Sequence, residues 1–474
     1  MKVTQVAIRP SEASARAARP ALTPELLAAC GARYSRNRGG LESILSRIDP
    51  ANLEASVDSI FRMVDYGHQS IADMVPVAMF IDGVSIWLAY YLWTLSPTAG
   101  GQESSTRYVK MSVDGLIPPE ALGIPSQHLP AWRELMARCF QAYQASLGLW
   151  EELAGEDPAL MGIPAALLTD PSEPARKKVA RMKRNYAFDR ARYFLPVGAA
   201  TNLMMVMSAR GWVGVCQQLL AHSLPEPRRL GELIRAELEL CAPRLVKHAR
   251  RLEPVQRALA REFEKLAGLA RLETPSWRDS PVTSRGASAI PFLSVMPPQG
   301  VSPEDFARDL ACHADRYAPI GSGLQRMSVR FGWSAIGFAE IRDLNRHRTG
   351  TKYCPLAPRG FYFALDQLPA SADVSGHRRA LLLQQAETGR EASARADALL
   401  REAEPACIYW SLLGTEYSFE HTTTADKFIY EAELRTGLGA HFRYARHLRD
   451  VLALWYEKFP ATKGLILEGS AEPE

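Results

Sequence analysis

The sequence predicts a helix-rich protein with short strands in small sheets, and two observations predict this class. Apolar residues recur among charged ones at helical spacing in segments 230–251, 377–402 and 426–458. Short β-type runs at 78–81 and 328–331 are typical of strands. Most of both parts of the chain has helical character, so we expect packed helices around a small sheet in each.

The length of the chain and one proline-rich stretch indicate more than one domain. At 474 residues the chain exceeds the size of an ordinary single domain. Residues 273–304 are rich in proline and serine, which is typical of a linker that leads into another domain. We therefore predict a first domain at 1–272, a linker and domain start at 273–304, and a second domain at 305–474.

Composition limits the kinds of site that the chain can carry. Its hydrophobic content of 47% and charged content of 23% are typical of a folded globular protein. The net charge of +4 is small, so we expect anions to be bound by local clusters of basic residues. The seven cysteines include no CxxC pair, which predicts a reducing, cytoplasmic environment and no metal site.

Two segments suggest partners that the rest of the chain does not support. Residues 84–95 are an apolar run of about a dozen residues, short of the roughly 20 that span a bilayer, so we expect a buried helix and no membrane partner. The basic run 176–184 precedes Tyr186 and Phe188, a composition compatible with nucleic-acid binding. We interpret it as the solvated face of a helix and expect no nucleic-acid partner.

The residues with the most chemical information are Arg346-His347-Arg348, at the end of a helix-like segment, 338–345. Successive side chains point about 100° apart on a helix, so these three suit a helix end that contacts several partners at once. A second polar segment, 102–108, lies in the other half of the chain and contains Ser105 and Arg107. Together they indicate an active site divided between two halves.

Four short motifs in the first half occur in a characteristic order. They are Gly67-His68-Gln69-Ser70, Ser105-Thr106-Arg107-Tyr108, Ala191-Arg192-Tyr193-Phe194-Leu195-Pro196 and Ser208-Ala209-Arg210. In that order they resemble the flavin-dependent thymidylate synthase family, whose signatures include Gly-His-x-Ser, Ser-x-Arg-Tyr, Ala-Arg-x-x-Leu-Pro and a later Ala-Arg. The first half lacks two further signatures, because Leu95-Ser96-Pro97 stands where an Arg-His-Arg trio is expected and Leu219 where a Leu-Arg pair is expected.

The second half supplies what the first half lacks. It has the trio at Arg346-His347-Arg348, and Leu434-Arg435 followed by Ala440-His441. It has no Gly-His-x-Ser motif, and Cys354-Pro355-Leu356 replaces the serine loop. Ile408 and Asp426 stand near the two remaining arginine positions. These complementary losses predict a fused pair of related domains that together keep one complete site.

The resemblance implies an α+β fold with two thymidylate-synthase-like domains that form a pseudo-dimer. Members of the family build each site across the subunits of a homotetramer, so two copies of this chain would form an equivalent homodimer. The implied reaction is the reductive methylation of dUMP to dTMP, with FAD as cofactor and with NADPH and methylenetetrahydrofolate as co-substrates. The reaction would occur at a composite site shared by the two halves.

The resemblance also implies a role for each motif residue. Arginine forks suit the phosphate of a nucleotide, so we assign substrate binding to Gln102, Glu103, Ser105, Arg107, Arg192 and Arg435. Arg435 would also polarise the pyrimidine carbonyls, and Arg346 would stabilise the anionic reduced flavin, which makes these two the catalytic candidates. Cofactor binding is assigned to His68, Ser70, Arg210, Arg346, His347, Arg348 and His441.

Several alternatives remain open. Arg107 could pair with a surface carboxylate, Arg435 could form a salt bridge on a helix surface, and Asp343 with His347 could be an i,i+4 helix pair. Asp343 also replaces the glutamine that the family has three residues before the trio, which favours a different pyrimidine nucleotide as substrate. A further alternative is a nucleotide-binding homologue without catalytic activity.

Overall fold

The computed structural model describes residues 1–18, 20–34, 37–49, 51–65, 69–272, 289–437 and 439–470. The chain folds into two compact units, each assembled from several segments. The first unit contains Met1–Ser104, Ile117–Ile124 and Ala199–Glu264. The second unit contains Ser105–Leu116, Pro125–Gly198 and Lys265–Glu474.

Each unit contains one antiparallel sheet. The strands in chain order are β1 (Lys2–Val6), β2 (Pro76–Ser85), β3 (Gly100–Glu103), β4 (Ala200–Ser208), β5 (Pro291–Met296), β6 (Ser328–Gly337), β7 (Thr351–Tyr353), β8 (Gly360–Phe361) and β9 (Thr415–Thr424). The first sheet has the order β1-β2-β4-β3, and the second has β5-β6-β9-β7 with β8 paired to β9. The strands predicted at 78–81 and 328–331 are confirmed as parts of β2 and β6.

Helices make up most of both units. In chain order the described α-helices are α1 (Glu12–Arg16), α2 (Pro24–Tyr34), α3 (Gly40–Leu45), α4 (Leu53–Asp65), α5 (Ser70–Asp73), α6 (Ile86–Leu95), α7 (Pro119–Leu122), α8 (Leu129–Glu156), α9 (Ala165–Thr169), α10 (Glu173–Ala191), α11 (Ala209–Ala221), α12 (Pro225–Cys241), α13 (Pro243–Val246), α14 (Glu253–Leu272), α15 (Asp305–Asp309), α16 (Ser322–Arg326), α17 (Phe338–Leu344), α18 (His377–Arg401), α19 (Ala425–Thr436) and α20 (Phe442–Lys458). The predicted α+β class, helix-rich with a small sheet in each unit, is confirmed.

The two sheets repeat one pattern of strands and helices. The long strands β2 and β6 each contain a register shift, between Asp82 and Val84 and between Trp333 and Ile336. Each then continues directly into a helix, α6 or α17. The other central strands, β4 and β9, likewise lead directly into α11 and α19. This shared order agrees with the predicted duplication of a domain.

Sequence periodicity predicted where the long helical segments lie, but it did not predict where individual helices begin and end. The helix predicted at 377–402 is confirmed as α18. The segment 230–251 is not one helix, because α12 ends at Cys241 and Pro243 starts a separate short helix. The segment 426–458 is also divided between α19 and α20; Gly439 adopts φ +81° in this break, and the side chain of His441 caps the N-terminus of α20.

The apolar segment 84–95 contains the predicted buried helix. α6 buries most of its side chains, including Trp87, Leu88 and Leu92. Among the described residues, no helix combines the length and the hydropathy that crossing a membrane requires.

The predicted domain boundaries and the compact units are different divisions of the chain. Residues 273–288 lie outside the described residues, and the rest of the predicted linker contains the edge strand β5. The second unit also includes 105–116 and 125–198, which belong to the first half of the sequence. The boundaries 1–272 and 305–474 stay a prediction. Because the second unit includes these first-half segments, it contains first-half motifs as well as the Arg-His-Arg trio.

An aromatic core fixes the elements that carry this trio. Phe331 on β6 packs against Phe428 on α19 with ring centroids 4.9 Å apart, and Phe428 packs against Trp455 on α20 at 5.4 Å. All three rings are fully buried, and burial of a side chain of this size stabilises a fold by roughly 1.5–3 kcal/mol. These contacts pack β6, α19 and α20 against one another in one aromatic core.

Candidate active site

Five segments of the second unit converge on one group of charged side chains. They are the loop at 105–108, the last turn of α10 with the 3-10 turn Arg192–Phe194, the end of α17 with the turn after it, the end of α19, and the residues that precede α20. The contacts described below join residues from both halves of the sequence.

Arg107 is held by a carboxylate that the sequence analysis missed. Its Nε donates to Asp189 Oδ1 at 2.6 Å and its Nη2 donates to Asp189 Oδ2 at 2.8 Å, a bidentate pair. Nη2 also donates to the carbonyl oxygen of Gly439 at 3.3 Å. The side chain of Asp189 is 9% exposed, so this is not the surface pair that the simpler interpretation of Arg107 proposed.

Arg192 is bound by the aspartate that departs from the family pattern. Both Nη1 and Nη2 donate to Asp343 Oδ2 at 3.1 Å, and Arg192 is only 1% exposed. Burial alone would raise the pKa of Asp343, but the guanidiniums of Arg192, Arg346 and Arg435 outweigh it and hold that pKa below its usual value. Asp343 is therefore ionised at neutral pH. The pair joins α17 to the 3-10 turn after α10.

The trio lies just beyond the last residue of α17, in a turn. Arg346 is the most exposed of the three, with its Nη2 3.8 Å from Asp343 Oδ1. His347 is buried, and Arg348 is intermediate. The three side chains thus differ in their surroundings, as expected for residues that reach separate partners.

Arg435 contacts both the trio and Asp343. Its Nε donates to His347 Nε2 at 2.8 Å, and its Nη2 donates to the main-chain oxygen of Asp343 at 2.8 Å. Because this histidine nitrogen accepts, His347 is neutral, and burial lowers its pKa to about 3. Among the described residues, Arg435 forms no helix-surface salt bridge and Asp343 does not pair with His347, so neither simpler alternative is found.

A second group that the sequence analysis missed lies under the same turn. His421 on β9 donates from Nε2 to the carbonyl oxygen of Thr349 at 2.7 Å, and its Nδ1 lies 2.9 Å from Glu431 Oε2 on α19. Lys352 donates to the carbonyl oxygen of His347. The carbonyl groups at both ends of this turn are thus held by buried or half-buried side chains.

A third network, of buried hydrogen bonds, holds α17 through Glu340. Arg443 on α20 donates to Glu416 Oε1 at 2.6 Å and to Glu340 Oε2 at 3.3 Å. Tyr193 donates from its hydroxyl to Glu340 Oε1 at 2.7 Å. These groups are buried, and burial raises the pKa of Glu340 despite the nearby guanidinium of Arg443. The position of Asp343 on α17 follows from this anchorage.

His441 makes contacts that account for both of its ring nitrogens. Nδ1 accepts from the main-chain nitrogen of Arg443 at 3.2 Å, and Nε2 donates to the main-chain oxygen of Asp189 at 3.1 Å. Burial holds its pKa well below the usual value, so the ring is neutral. It therefore links the start of α20 to the main chain of Asp189, the residue whose carboxylate holds Arg107. Its assignment to cofactor binding remains a prediction.

The other predicted residues are in the first unit or beside its boundary. Gln102 and Glu103 lie on β3, where Glu103 Oε2 accepts from Trp93 Nε1 at 3.2 Å. Ser105, in the second unit, accepts from the main-chain nitrogen of Arg107 at 3.2 Å. Ser70 begins α5 and is exposed, and His68 lies outside the described residues.

A cavity of about 260 Å³ in the first unit adjoins a predicted cofactor residue. Its lining includes Gln69, Arg210, Gln217 and Leu245. Arg210 forms an ion pair with Asp73 at 2.8 Å, with both side chains about half exposed. The cavity has both apolar and polar walls, as a binding site for a small molecule requires.

The charges of the second unit favour an anionic ligand. Arg107, Arg192, Arg346, Arg348 and Arg435 carry five positive charges, and Asp189 and Asp343 carry two negative ones, so the group has an excess of three positive charges. Within the described part of the chain, no group of three or more histidine, cysteine or acidic residues could hold a metal ion. The basic run 176–184 lies on α10, where most of its cationic side chains are exposed.

Comparisons with known proteins found a matching family model, a similar sequence and a similar structure. Residues 21–244 match the family model described as thymidylate synthase complementing protein. The UPF0159 protein Ta1429 of Thermoplasma acidophilum is 24% identical over 483 residues, covering 92% of this chain and 93% of the relative. A structure of the UMP/dUMP methylase PolB from Streptomyces cacaoi bound with 5-Br dUMP is 16% identical, with a TM-score of 0.31, over 52% of this chain and 93% of that one.

Proposed function

We propose that the protein methylates dUMP to dTMP, because residues 21–244 match the family model described as thymidylate synthase complementing protein. The reaction would use FAD as cofactor, NADPH as reductant and methylenetetrahydrofolate as one-carbon donor. It would occur at one composite site per chain, made from the Ser-x-Arg-Tyr loop of one sequence half and the Arg-His-Arg trio of the other.

One observation supports this proposal most strongly. Arg107, Arg192, Arg346 and Arg435 come from distant parts of the sequence, yet each contacts either Asp189 or Asp343. Arg107 pairs with the carboxylate of Asp189, Arg192 and Arg346 with that of Asp343, and Arg435 with the main-chain oxygen of Asp343. Separate structural arginines would each need a partner of their own, and they would not be expected to gather at one place. An excess of positive charge in a half-buried site favours a phosphate monoester.

The contacts suggest a role for each arginine in binding dUMP. The side chain of Arg107 is 15% exposed, so it can offer donors to a phosphate. Arg435, fixed by His347 and the main chain of Asp343, would polarise a pyrimidine carbonyl as negative charge develops on the ring. A donor that is already oriented stabilises such charge without reorganisation. His347, neutral and accepting, fixes the plane of that guanidinium.

The residues around the trio have donors that fit an anionic cofactor. Arg346 is partly exposed, and its Nη2 lies 3.8 Å from Asp343 Oδ1. Burial and the charge of Arg346 lower the pKa of Arg348, which an anion would offset. These two guanidiniums are the residues of the second unit that we propose to hold FAD. When bound, the flavin supplies the reducing equivalents of the methylation.

The proposal is tested by cofactor binding and product formation together. We expect purified protein saturated with FAD to hold one flavin per chain, and to form dTMP from dUMP only when both NADPH and methylenetetrahydrofolate are present. Arg346→Gln should lose flavin binding, whereas Arg326→Gln, on the short helix α16, should retain it. Failure to bind any flavin would contradict the proposal and favour a nucleotide-binding homologue without catalysis.

A different pyrimidine nucleotide is the second candidate substrate. It is favoured by Asp343, a carboxylate where the family has glutamine, because a charged acceptor and a neutral amide prefer different base edges. Parallel assays with dUMP, UMP and dCMP distinguish the two candidates. Turnover of dCMP without turnover of dUMP would replace the first candidate by the second.

A further inference from the structure

We infer that Asp343 withdraws Arg192 from substrate binding and leaves Arg107 as the arginine that binds the nucleotide phosphate. The inference rests on the proposed function, and it divides the two arginines that the sequence assigns to one phosphate clamp. It makes Asp343 a residue that determines how strongly the site depends on the phosphate of its substrate.

The geometry of Arg192 leaves little for a ligand. Both terminal nitrogens donate to the same oxygen, Asp343 Oδ2, and the residue is 1% exposed. The remaining nitrogen, Nε, is buried and has no hydrogen-bond partner among the described residues. Asp343 thus occupies the end edge of this guanidinium, and burial closes its other two-pronged edge, Nε with Nη2, to a phosphate.

Arg107 is paired in a different way. The carboxylate of Asp189 accepts hydrogen bonds from Nε and Nη2, the side edge of the guanidinium. The carbonyl oxygen of Gly439 accepts a further hydrogen bond from Nη2. Its Nη1 makes no hydrogen bond to any described residue, and the side chain is 15% exposed. Asp189 therefore orients Arg107 with one nitrogen still able to donate, whereas Asp343 occupies the whole end of Arg192.

Asp343 is not free to move away from Arg192. Its main-chain oxygen accepts from Arg435 Nη2, and its helix is anchored through Glu340 and Arg443. A glutamine at this position, as the family has, would carry no charge and would compete weakly with a phosphate for a guanidinium. The change from glutamine to Asp343 thus accounts for a buried, neutralised Arg192 in this chain.

The test compares the affinity for dUMP with the affinity for deoxyuridine by calorimetry, because their ratio isolates the phosphate. We expect Arg107→Gln to lower this ratio by about 10-fold or more, the effect of a lost charge-assisted hydrogen bond. We expect Arg192→Gln to leave it unchanged within about twofold, the usual size of an indirect effect. The glutamine amide can still donate to Asp343, so the buried carboxylate keeps a partner.

Two further variants cover the case in which a single change disturbs folding. Asp343→Gln should raise the dUMP-to-deoxyuridine ratio, a gain that simple structural damage would not produce. The double variant Asp343→Gln with Arg192→Gln, which replaces the ion pair by two amides, should return the ratio to that of the unchanged protein. Thermal unfolding of each variant shows whether it is folded.

The possible outcomes separate the inference from the proposed function. An equal fall in the ratio for Arg107→Gln and Arg192→Gln, or a lower ratio in the double variant, would overturn the inference and leave dUMP methylation intact. An unchanged protein that binds neither dUMP nor any other pyrimidine nucleotide would contradict the proposed function, and the inference with it.

Discussion

At the scale of single residues, the site is organised by buried carboxylates, and Glu431 is the most unusual of them. It is 1% exposed, and its carboxylate oxygens receive no well-aligned hydrogen bond from the described residues, although His421 Nδ1 is 2.9 Å away. Burial favours the neutral acid, but His347 and His421 outweigh it and lower the pKa to about 2. Glu431 is therefore a buried anion that stabilises the turn carrying the trio.

Removing this charge should destabilise the protein. We expect Glu431→Gln to lower the free energy of unfolding by roughly 1–3 kcal/mol, because an amide would replace the buried carboxylate beside His421 Nδ1 and leave buried polar groups without suitable partners. The matched control is Glu420→Gln on β9, whose partner Arg330 is 57% exposed; an exposed pair contributes about 0–1 kcal/mol. Urea unfolding at neutral pH measures both. Equal, small losses would show that Glu431 does not act as a buried anion.

The same residue predicts a dependence on pH. Its folded pKa of about 2 lies below the usual value of 4.5, so its stabilisation is complete above about pH 4.5 and is lost as the pH falls through about 2. The difference in unfolding free energy between the unchanged protein and Glu431→Gln should therefore shrink between about pH 5 and pH 2. The difference for Glu420→Gln is the baseline. A constant difference over this range would contradict the lowered pKa.

The sequence revealed the cations of the site but not their partners. Arg107, Arg192 and Arg435 were identifiable because each lies in a short motif. Asp189, His421 and Glu431 have no such motif, and their roles depend on contacts between residues far apart in the chain. For Asp189 one signal was present, its place three residues before Arg192, but only the fold shows that its carboxylate meets Arg107.

At the scale of elements, hydrophobic periodicity and residue propensity predicted the strands and helices whose formation depends mainly on neighbouring residues in the sequence. Strands β2 and β6 and helix α18 follow from period and propensity. The break between α19 and α20 does not, because it depends on Gly439 at φ +81° and on the cap that His441 gives to α20. The inclusion of the first-half segments 105–116 and 125–198 in the second unit depends on tertiary packing, which no local pattern encodes.

The turn after the trio offers a prediction at this scale. Gly350 has φ +72°, and a Cβ placed there would collide with the main-chain oxygen of Thr422 on β9. Gly350→Ala should therefore displace the turn and weaken flavin binding. The control is Gly376→Ala, which has φ +70° but open space around a Cβ, so it should cost only the backbone strain, about 1–2 kcal/mol. Flavin titration and thermal unfolding of both variants test this; equal flavin affinities would contradict it.

At the scale of the whole molecule, the second unit alone contains residues that the related enzymes are expected to draw from different subunits. Arg107 and Arg192 precede the predicted linker, and Arg346 and Arg435 follow it, yet all four belong to one compact unit of one chain. Fusion of two domains would have this effect, because it lets each half lose motifs that the other retains. We propose that two chains form a homodimer equivalent to the family tetramer, with these arginines supplied within each chain.

Mixed dimers distinguish a site built within one chain from a site built between chains. Arg107→Gln and Arg346→Gln each should abolish dTMP formation, because both residues belong to one site. If that site lies within a chain, a dimer of one Arg107→Gln chain and one Arg346→Gln chain has two damaged sites and stays inactive. If it lies between chains, the mixed dimer regains one intact site and about half of the activity of the unchanged dimer, as expected when independent sites add.

Co-expression with two affinity tags and sequential purification yields the mixed dimer, and a dimer of a variant chain with an unchanged chain is the positive control. We expect no recovery in the first mixture and activity in the second; recovery in the first would show that the arginines of one site come from both chains.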